Sequence, residues 1–402
     1  MVYSVDKIPP LDLIQQYQQI GSEVSQAVQA VLASGRYIGG TVVQQFEQQF
    51  AEYIGVEAAI GCNSGTDALV LGLRALDIGP GDQVITTPFS FVATAAAISA
   101  VGATPVFVDI EAETFNLDLN QIEAAITAQT RAILPVHLFG QSLDMTRLMA
   151  IAQSHHLAVI EDCAQATGAT WQGQKLGSIG HVGCFSFYPT KNLGAAGDGG
   201  AVTTQDPEIA VRVRQIKDHG QSTKYCSEEL GINSRLDALQ AAVLQIKLRY
   251  LDRWNAQRRT LAQHYHQGLA DHPGIARPEG LAQGEAVWHQ YSIRVLQPLF
   301  NHPDNGKPGL SNHGNLPNQR DQLQVKLQEQ GISTTVYYPV PIHRQPLYQS
   351  LGYQPGSLPI VEHVCQEVLS LPMFPELSTA QQDRVIESIQ QCLITDSVLL
   401  GV

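Results

Sequence analysis

Three short stretches carry side chains whose types and spacing suit chemistry. Residues 185–200 read FSFYPTKNLGAAGDGG, which sets Lys191 between aromatics and a run of glycine and alanine. A lysine held away from water loses part of its preference for the charged form, and its free amine attacks carbonyl carbons. The plainer reading is a stem packed on apolar surface with the ammonium in water. Residues 161–169, EDCAQATGA, put two acids at the end of an apolar run. A buried carboxylate there needs a cation or hydrogen-bond donors, unless it only caps a helix or closes an ion pair. Residues 62–71, CNSGTDALVL, lead from small polar residues straight into a helical pattern. The free amides of a helix start attract an anion, and Gly65 allows close backbone approach; an ordinary cap by Ser64 or Thr66 explains the same residues.

The elements that must position these residues follow from periodicity. QVITTP (83–88), TPVFVDI (104–110), RAILPVHL (131–138) and LAVIEDCA (157–164) are short, nearly continuous apolar runs. Strands buried on both faces look like this. Between them DALVLGLRAL (67–76), ATAAAISAVG (93–102), NQIEAAIT (120–127) and TRLMAIAQSH (146–155) have helical spacing. Alternating strands and helices imply an α/β fold with a mostly parallel sheet covered by helices, which places ligands beyond the carboxyl ends of the strands. From 209 to 220 and from 236 to 269 the pattern is helical, and the second stretch reads as one long spine. Beyond it HQYSIRVL (289–296), STTVYYPV (333–340) and STAQQDRVIESIQQCL (378–393) suggest shorter elements of a smaller α+β domain. The expected division is 1–250 and 251–402. Residues 298–319, rich in Pro, Asn and Gly, read as a surface loop of unassigned role.

Composition narrows the function classes. The chain has 402 residues, 44% of them apolar and 15% charged, which supports a large core. A net charge of −13 argues against nucleic acid or an anionic membrane as partner, though not against a local pocket for an anionic ligand. Six cysteines without C-x-x-C spacing read as reduced, small apolar residues. With no leader-like start and no long apolar run, the expected compartment is the cytoplasm. His155–His156 and the histidines of 298–319 lack ligand spacing, so no metal is expected.

Together, an anion cradle, an acid after a buried strand and a lysine after a later strand suit one cofactor, pyridoxal 5′-phosphate (PLP). It needs a phosphate site, an acid beside its ring nitrogen and a lysine for a Schiff base. The runs SGTDAL, TPFSFVATAAAI, PVHLFGQ, EDCAQATGA, FSFYPTKNLGAAGDGGA, DHGQ and GINSRLDALQAA resemble the DegT/StrS family of nucleotide-sugar aminotransferases, from PPLDL at the start to SLPMFP at 370–375. The resemblance implies a PLP fold type I enzyme, with a large seven-stranded-type sheet and a smaller C-terminal α+β domain. It implies that Lys191 forms the Schiff base and shuttles the proton, that Asp162 pairs with the ring nitrogen and that Gln165 contacts the ring hydroxyl. Gly65, Thr66 and Ser186 would hold the phosphate, and Phe91 would stack on the ring. Asn233 would reach the phosphate of a neighbouring subunit, so the active site would be shared in a homodimer; taken alone, Asn233 reads as a turn residue after Gly231.

Some relatives carry histidine at the lysine position and dehydrate; Lys191 therefore favours amino transfer. The expected cycle is ping-pong, from an amino-acid donor, glutamate, to a keto-sugar nucleotide. GINSRLD is similar to members that aminate C3, whereas many C4-aminating members place an aromatic after the asparagine. Arg235, Tyr338 and His343 are candidate substrate contacts, the alternatives being an ion pair for Arg235 and a structural histidine for His343. A cyclitol ketone as acceptor, and a non-catalytic regulatory protein that retains the fold, are the competing readings.

Overall fold

The computed structural model describes residues 7–296 and 318–399; the side chains beyond 393 are outside that description. The 298–319 stretch lies almost wholly outside the described residues. Its last two, Asn318 and Gln319, begin a helix at Gln319–Glu329, with the Asn318 side chain accepting from the Asp321 amide.

The apolar runs form the strands of a central sheet. These are β1 (Ala58–Cys62), β2 (Gln83–Thr86), β3 (Thr104–Phe107), β4 (Thr130–Leu134), β5 (Ala158–Asp162), β6 (Val182–Ser186) and β7 (Gly200–Thr204). The order is β1-β7-β6-β5-β4-β2-β3, and β7 alone runs antiparallel to the other strands. Residues of β2, β4, β5 and β6 are almost all buried, as strands covered by helices on both faces must be. Helix α1 (Gly65–Ala75) turns Leu69 and Leu73 inward and starts on the Ser64 hydroxyl, which accepts from the Asp67 amide at 3.1 Å. Helix α2 (Ala93–Ala100) buries Thr94, Ala97 and Ile98.

The long helical stretch is two helices, α3 (Ala238–Leu248) and α4 (Leu251–Gly268). Sequence periodicity does not reveal the break because neither glycine nor proline marks it. The break coincides with contacts to the N-terminal helix Leu13–Ser34, where Arg249 and Tyr250 both bind Glu23, and with the stacking of Tyr250 on Trp254. A second core forms around Tyr265, Leu269, Tyr291, Ile293, Leu327, Leu369 and Phe374, on a three-stranded sheet of Ile275–Ala276, Tyr291–Val295 and Val368–Leu371. The expected division after residue 250 falls at the α3–α4 break and is kept as a proposed boundary. Packing crosses it: Ile8 joins the second core, whereas Leu251 and Val287 join the first.

Two further expectations change. NQIEAAIT shrinks to a single helical turn, Ile122–Ala125. STTVYYPV forms no strand; it touches the small sheet through one bridge, Thr335 to Ser370. Pro339 and Pro341 have no amide hydrogen to give a ladder, and the chain instead carries Tyr338 toward β5. Among the described residues no helix is long and apolar enough to cross a membrane.

One buried carboxylate ties the last part of the chain to the large sheet. Asp109, just past β3, accepts from the amides of Ile360 and Val361, both at 2.9 Å, at the start of helix Pro359–Glu367. It also takes its neighbour's amide, Ile110, at 2.9 Å. Asp109→Ala leaves these buried donors unpaired and is expected to destabilise the fold by about 2 kcal/mol. Urea unfolding checks this, and an unchanged midpoint would show the contact to be dispensable.

Candidate active site

The carboxyl ends of β5 and β6 and the start of α1 meet at one edge of the sheet. Successive strand residues point to opposite faces, so the two acids that end β5 have different fates. Glu161 is fully enclosed. It accepts from the amides of Gly177, Ile179 and Gly180 at 2.7–2.9 Å and bonds His137 Nε2 at 3.0 Å. Burial pushes this acid up, but His137 and the amides outweigh it and hold the acid below its ordinary value. Glu161, His137 and Cys163 lie close enough to resemble metal ligands, but the Glu161 oxygens are already committed to these bonds.

Asp162 faces the other way. It is 4% exposed and accepts from the Thr94 hydroxyl at 2.9 Å and the Ala164 amide at 3.1 Å. Burial raises its pKa, against the pull of those donors and of Lys191. Lys191 follows β6 in a tight turn, its amide donating to the Tyr188 carbonyl at 2.9 Å. Burial lowers its pKa to about 8, while Asp162 pulls it upward. A lysine in this state supplies free amine near neutral pH, as attack on a carbonyl requires.

Gly65 opens α1 directly against Ser186 at the end of β6. A Cβ on Gly65 would lie 2.6 Å from the Ser186 Cβ, so only glycine allows this approach. Gly200 is restricted in the same way, since a Cβ there would fall 2.4 Å from the Ser64 carbonyl. The helix start of Gly65 and Thr66 and the Ser186 hydroxyl therefore converge on a site suited to a phosphate. Phe91 is 59% exposed just before α2, an aromatic face left open. Gln165 takes the Phe139 amide on Oε1 at 2.8 Å and donates to the Tyr338 hydroxyl at 3.2 Å, and burial raises the pKa of that hydroxyl.

The remaining candidates sit further out. Asn233 is exposed and bridges to Asp218 through its backbone. The Arg235 guanidinium pairs with Asp218 at 3.1 Å. His343 is not among the groups brought together here. Its side chain has 0% exposure, bonds Glu362 at 3.2 Å and packs on Phe107 and Tyr353, which supports the structural reading of this histidine.

Sequence reasoning missed Thr94, Asn192 and His289. The signal for Thr94 was a hydroxyl in the first turn of an alanine-rich helix. Asn192 and His289, joined at 3.0 Å, carried no signal beyond the adjacency of Asn192 to Lys191. The residues present suit PLP: uncharged donors for its phosphate, an enclosed acid for its ring nitrogen, a deprotonatable lysine and an open aromatic face.

Thr94→Val keeps the shape of the side chain but removes a donor from Asp162. Hydrogen bonds to a charged group are worth about 1.5–3 kcal/mol, so PLP binding is expected to weaken about tenfold or more, with a further loss as pH falls and Asp162 takes up a proton. Titration of the apo-protein by absorbance measures it, and unchanged affinity would dismiss the Thr94–Asp162 bond as a determinant.

The DegT/DnrJ/EryC1/StrS aminotransferase family matches residues 18–390. A "pleiotropic regulatory protein" of Geobacillus stearothermophilus is 46% identical over 96% of this chain and 98% of its own. The "dTDP-3-amino-3,4,6-trideoxy-alpha-D-glucose transaminase" of Streptomyces venezuelae is 43% identical over 96% of each chain. The crystal structure of S. venezuelae DesV in complex with a ketimine intermediate superposes with a TM-score of 0.89 at 44% identity, over 96% of this chain and 98% of that one. With a type I α/β architecture and a match over nearly its whole length, the chain belongs to the DegT/DnrJ/EryC1/StrS aminotransferase family, whose cofactor is PLP.

Proposed function

We propose that the protein moves an amino group from L-glutamate to the C3 keto group of a nucleotide-linked keto-sugar, by a ping-pong cycle in a homodimer. The observation that carries this reading is the meeting of Lys191 and Asp162 beside the Gly65–Thr66 helix start. When bound, PLP supplies an aldehyde that carries the amino group and a ring that accepts an electron pair. Lys191 Nζ anchors that aldehyde and then moves a proton between it and the substrate carbon. Asp162 holds a proton at the ring nitrogen, in an enclosure where its charge is worth more than in water. Gly65, Thr66 and Ser186 hold the phosphate, Phe91 stacks on the ring and Gln165 meets the ring hydroxyl. Asn233 of the partner subunit completes the phosphate site, while Arg235 and Tyr338 contact substrate.

The C3 reading is supported by the segment after Asn233. Ser234 is fully buried, and its hydroxyl donates to Asn63 Oδ1 at 3.2 Å, tying the Asn233 loop to the turn before α1. The S. venezuelae relative is named for a 3-amino sugar, which supports the same position. The regulatory name of the Geobacillus relative does not displace this reading, because a binding module has no need of a lysine held at the carboxyl edge of the sheet beside a buried acid.

The purified protein loaded with PLP is expected to show the visible band of lysine-bound cofactor. Glutamate should bleach it, and a 3-keto-sugar nucleotide should restore it. Lys191→Ala should lose the band and about 10³-fold or more of the turnover. Restoration by a 4-keto-sugar nucleotide alone would overturn the regiochemistry. Restoration by a free cyclitol ketone alone would overturn the sugar, and a colourless wild-type protein would overturn the enzyme reading. An active monomer in sedimentation would end the shared-site assignment.

A further inference from the structure

The turn that opens α1 follows directly from β1, and β1 is the edge of the large sheet. An antiparallel edge strand turns the amide and carbonyl of every second residue away from its neighbour, where no ladder can satisfy them. Gly61, shortly before Gly65, is such a residue, and two charged side chains take the place of a strand. Glu47, on helix Gly40–Ile54, accepts the Gly61 amide on Oε1 at 2.8 Å. Lys217, just past helix Pro207–Ile216, donates from Nζ to the Gly61 carbonyl at 2.6 Å. The Lys217 ammonium lies 3.8 Å from Glu47 Oε1, and the two side chains are only 13% and 10% exposed. Arg214 Nη1 meets the other Glu47 oxygen at 3.1 Å. Burying two charges costs more than packing an apolar pair would. What the charges add is direction: one acceptor and one donor aimed at the same residue.

Lys217 has a second attachment. Its carbonyl accepts the Ser234 amide at 2.9 Å. The Ser234 hydroxyl donates to Asn63 Oδ1 at 3.2 Å and accepts from the Asn63 amide at 3.4 Å. A closed circuit therefore runs from Gly61 to Lys217, Ser234 and Asn63, and back along the chain to Gly61. Close packing tightens it, since a Cβ on Gly61 would lie 2.9 Å from the Leu236 Cβ. One side of the circuit leads into Ser64, Gly65 and Thr66, and the other carries Asn233.

We propose that Lys217, held by Glu47, is a positioning residue for phosphate recognition. It fixes the end of β1 from which the Gly65–Thr66 helix start is presented and, through Ser234, the segment that presents Asn233. This rests on the phosphate reading of that cradle in the proposed function, but on no particular sugar or donor. The ammonium is committed to the Gly61 carbonyl and to Glu47, so it acts on the phosphate only through the backbone. In the proposed homodimer the same side chain steadies the cradle of its own subunit and the Asn233 offered to the partner.

The test compares two aldehydes that differ only in the phosphate, PLP and pyridoxal, titrated by absorbance into the full-length apo-protein. Both can bond Lys191, so the ratio of their affinities isolates phosphate recognition. Ser186→Ala, which removes a hydroxyl from the cradle itself, is the reference. In Lys217→Met the ratio should fall about tenfold while pyridoxal affinity stays within about twofold of the wild type, because a cradle no longer held in place must be ordered on binding. A merely structural lysine would weaken both aldehydes alike, or neither. Lys217→Arg, which can still donate to the Gly61 carbonyl, should recover most of the ratio. A folded Lys217→Met with the wild-type ratio overturns the proposal, as does an equal weakening of both aldehydes. If Lys217→Met does not fold, Glu47→Gln decides: it keeps an acceptor for the Gly61 amide but removes the charge that holds Lys217, and the ratio should fall about threefold. An unchanged ratio in that variant overturns the proposal too. A ratio unmoved in Ser186→Ala as well would take the cradle reading down with it, whereas a fall in Ser186→Ala alone rejects this proposal and leaves that reading standing.

Discussion

A carboxylate removed from water at the end of β5 is the constraint on which the rest of the site depends. Asp162 is stable there only because donors and a cation arrive from other elements: the Thr94 hydroxyl from α2, the Ala164 amide from the following turn and Lys191 from beyond β6. The sheet order makes this possible, since β6 lies beside β5 with Cys184 opposite Asp162. Glu161 meets the same cost on the opposite face and resolves it with backbone amides and His137. Two adjacent acids with the same chemistry thus become a structural anchor and a candidate for the ring-nitrogen partner, separated only by the alternation of a strand.

The same alternation explains what the sequence disclosed. The runs VITT, PVFV, AILPV and AVIED were legible as strands because both faces are covered and every residue is apolar or spoken for. AAIGC (β1) and GAVTT (β7) were not, because small residues that pack closely against helices lack a hydrophobic signature. Lys191, Asp162 and Gly65 were legible as an ensemble, since a phosphate cradle, an acid and a lysine in that order suit one cofactor. Asn192 and His289 were not. They lie 97 residues apart, and their relation exists only in the folded hydrogen-bond chain. Arg235 was open between two readings; the structure supplies its ion pair with Asp218, which orders the guanidinium without consuming all of its donors.

The C-terminal part of the chain does more than cover the sheet. Asp109 fixes the start of Pro359–Glu367, Tyr338 bonds Gln165, and the 287–289 segment spans the Lys191 and Gln165 turns. Each contact joins the large sheet, or a turn beside it, to a segment from the C-terminal part of the chain.

The uncharged character of the proposed phosphate cradle bears on the lysine. Gly65, Thr66 and Ser186 are uncharged, and an anion there would be met by helix-start amides and a hydroxyl. An arginine or lysine in that position would bind phosphate more strongly, but it would also set a second cation near Lys191 and disfavour its protonated form further. Burial has already brought Lys191 to about 8, where amine and ammonium are both accessible near neutral pH. A neutral cradle leaves that balance to burial and Asp162. The partial charge of a helix start, about half an elementary charge, is enough to hold an anion without imposing a full positive charge on the amine beside it.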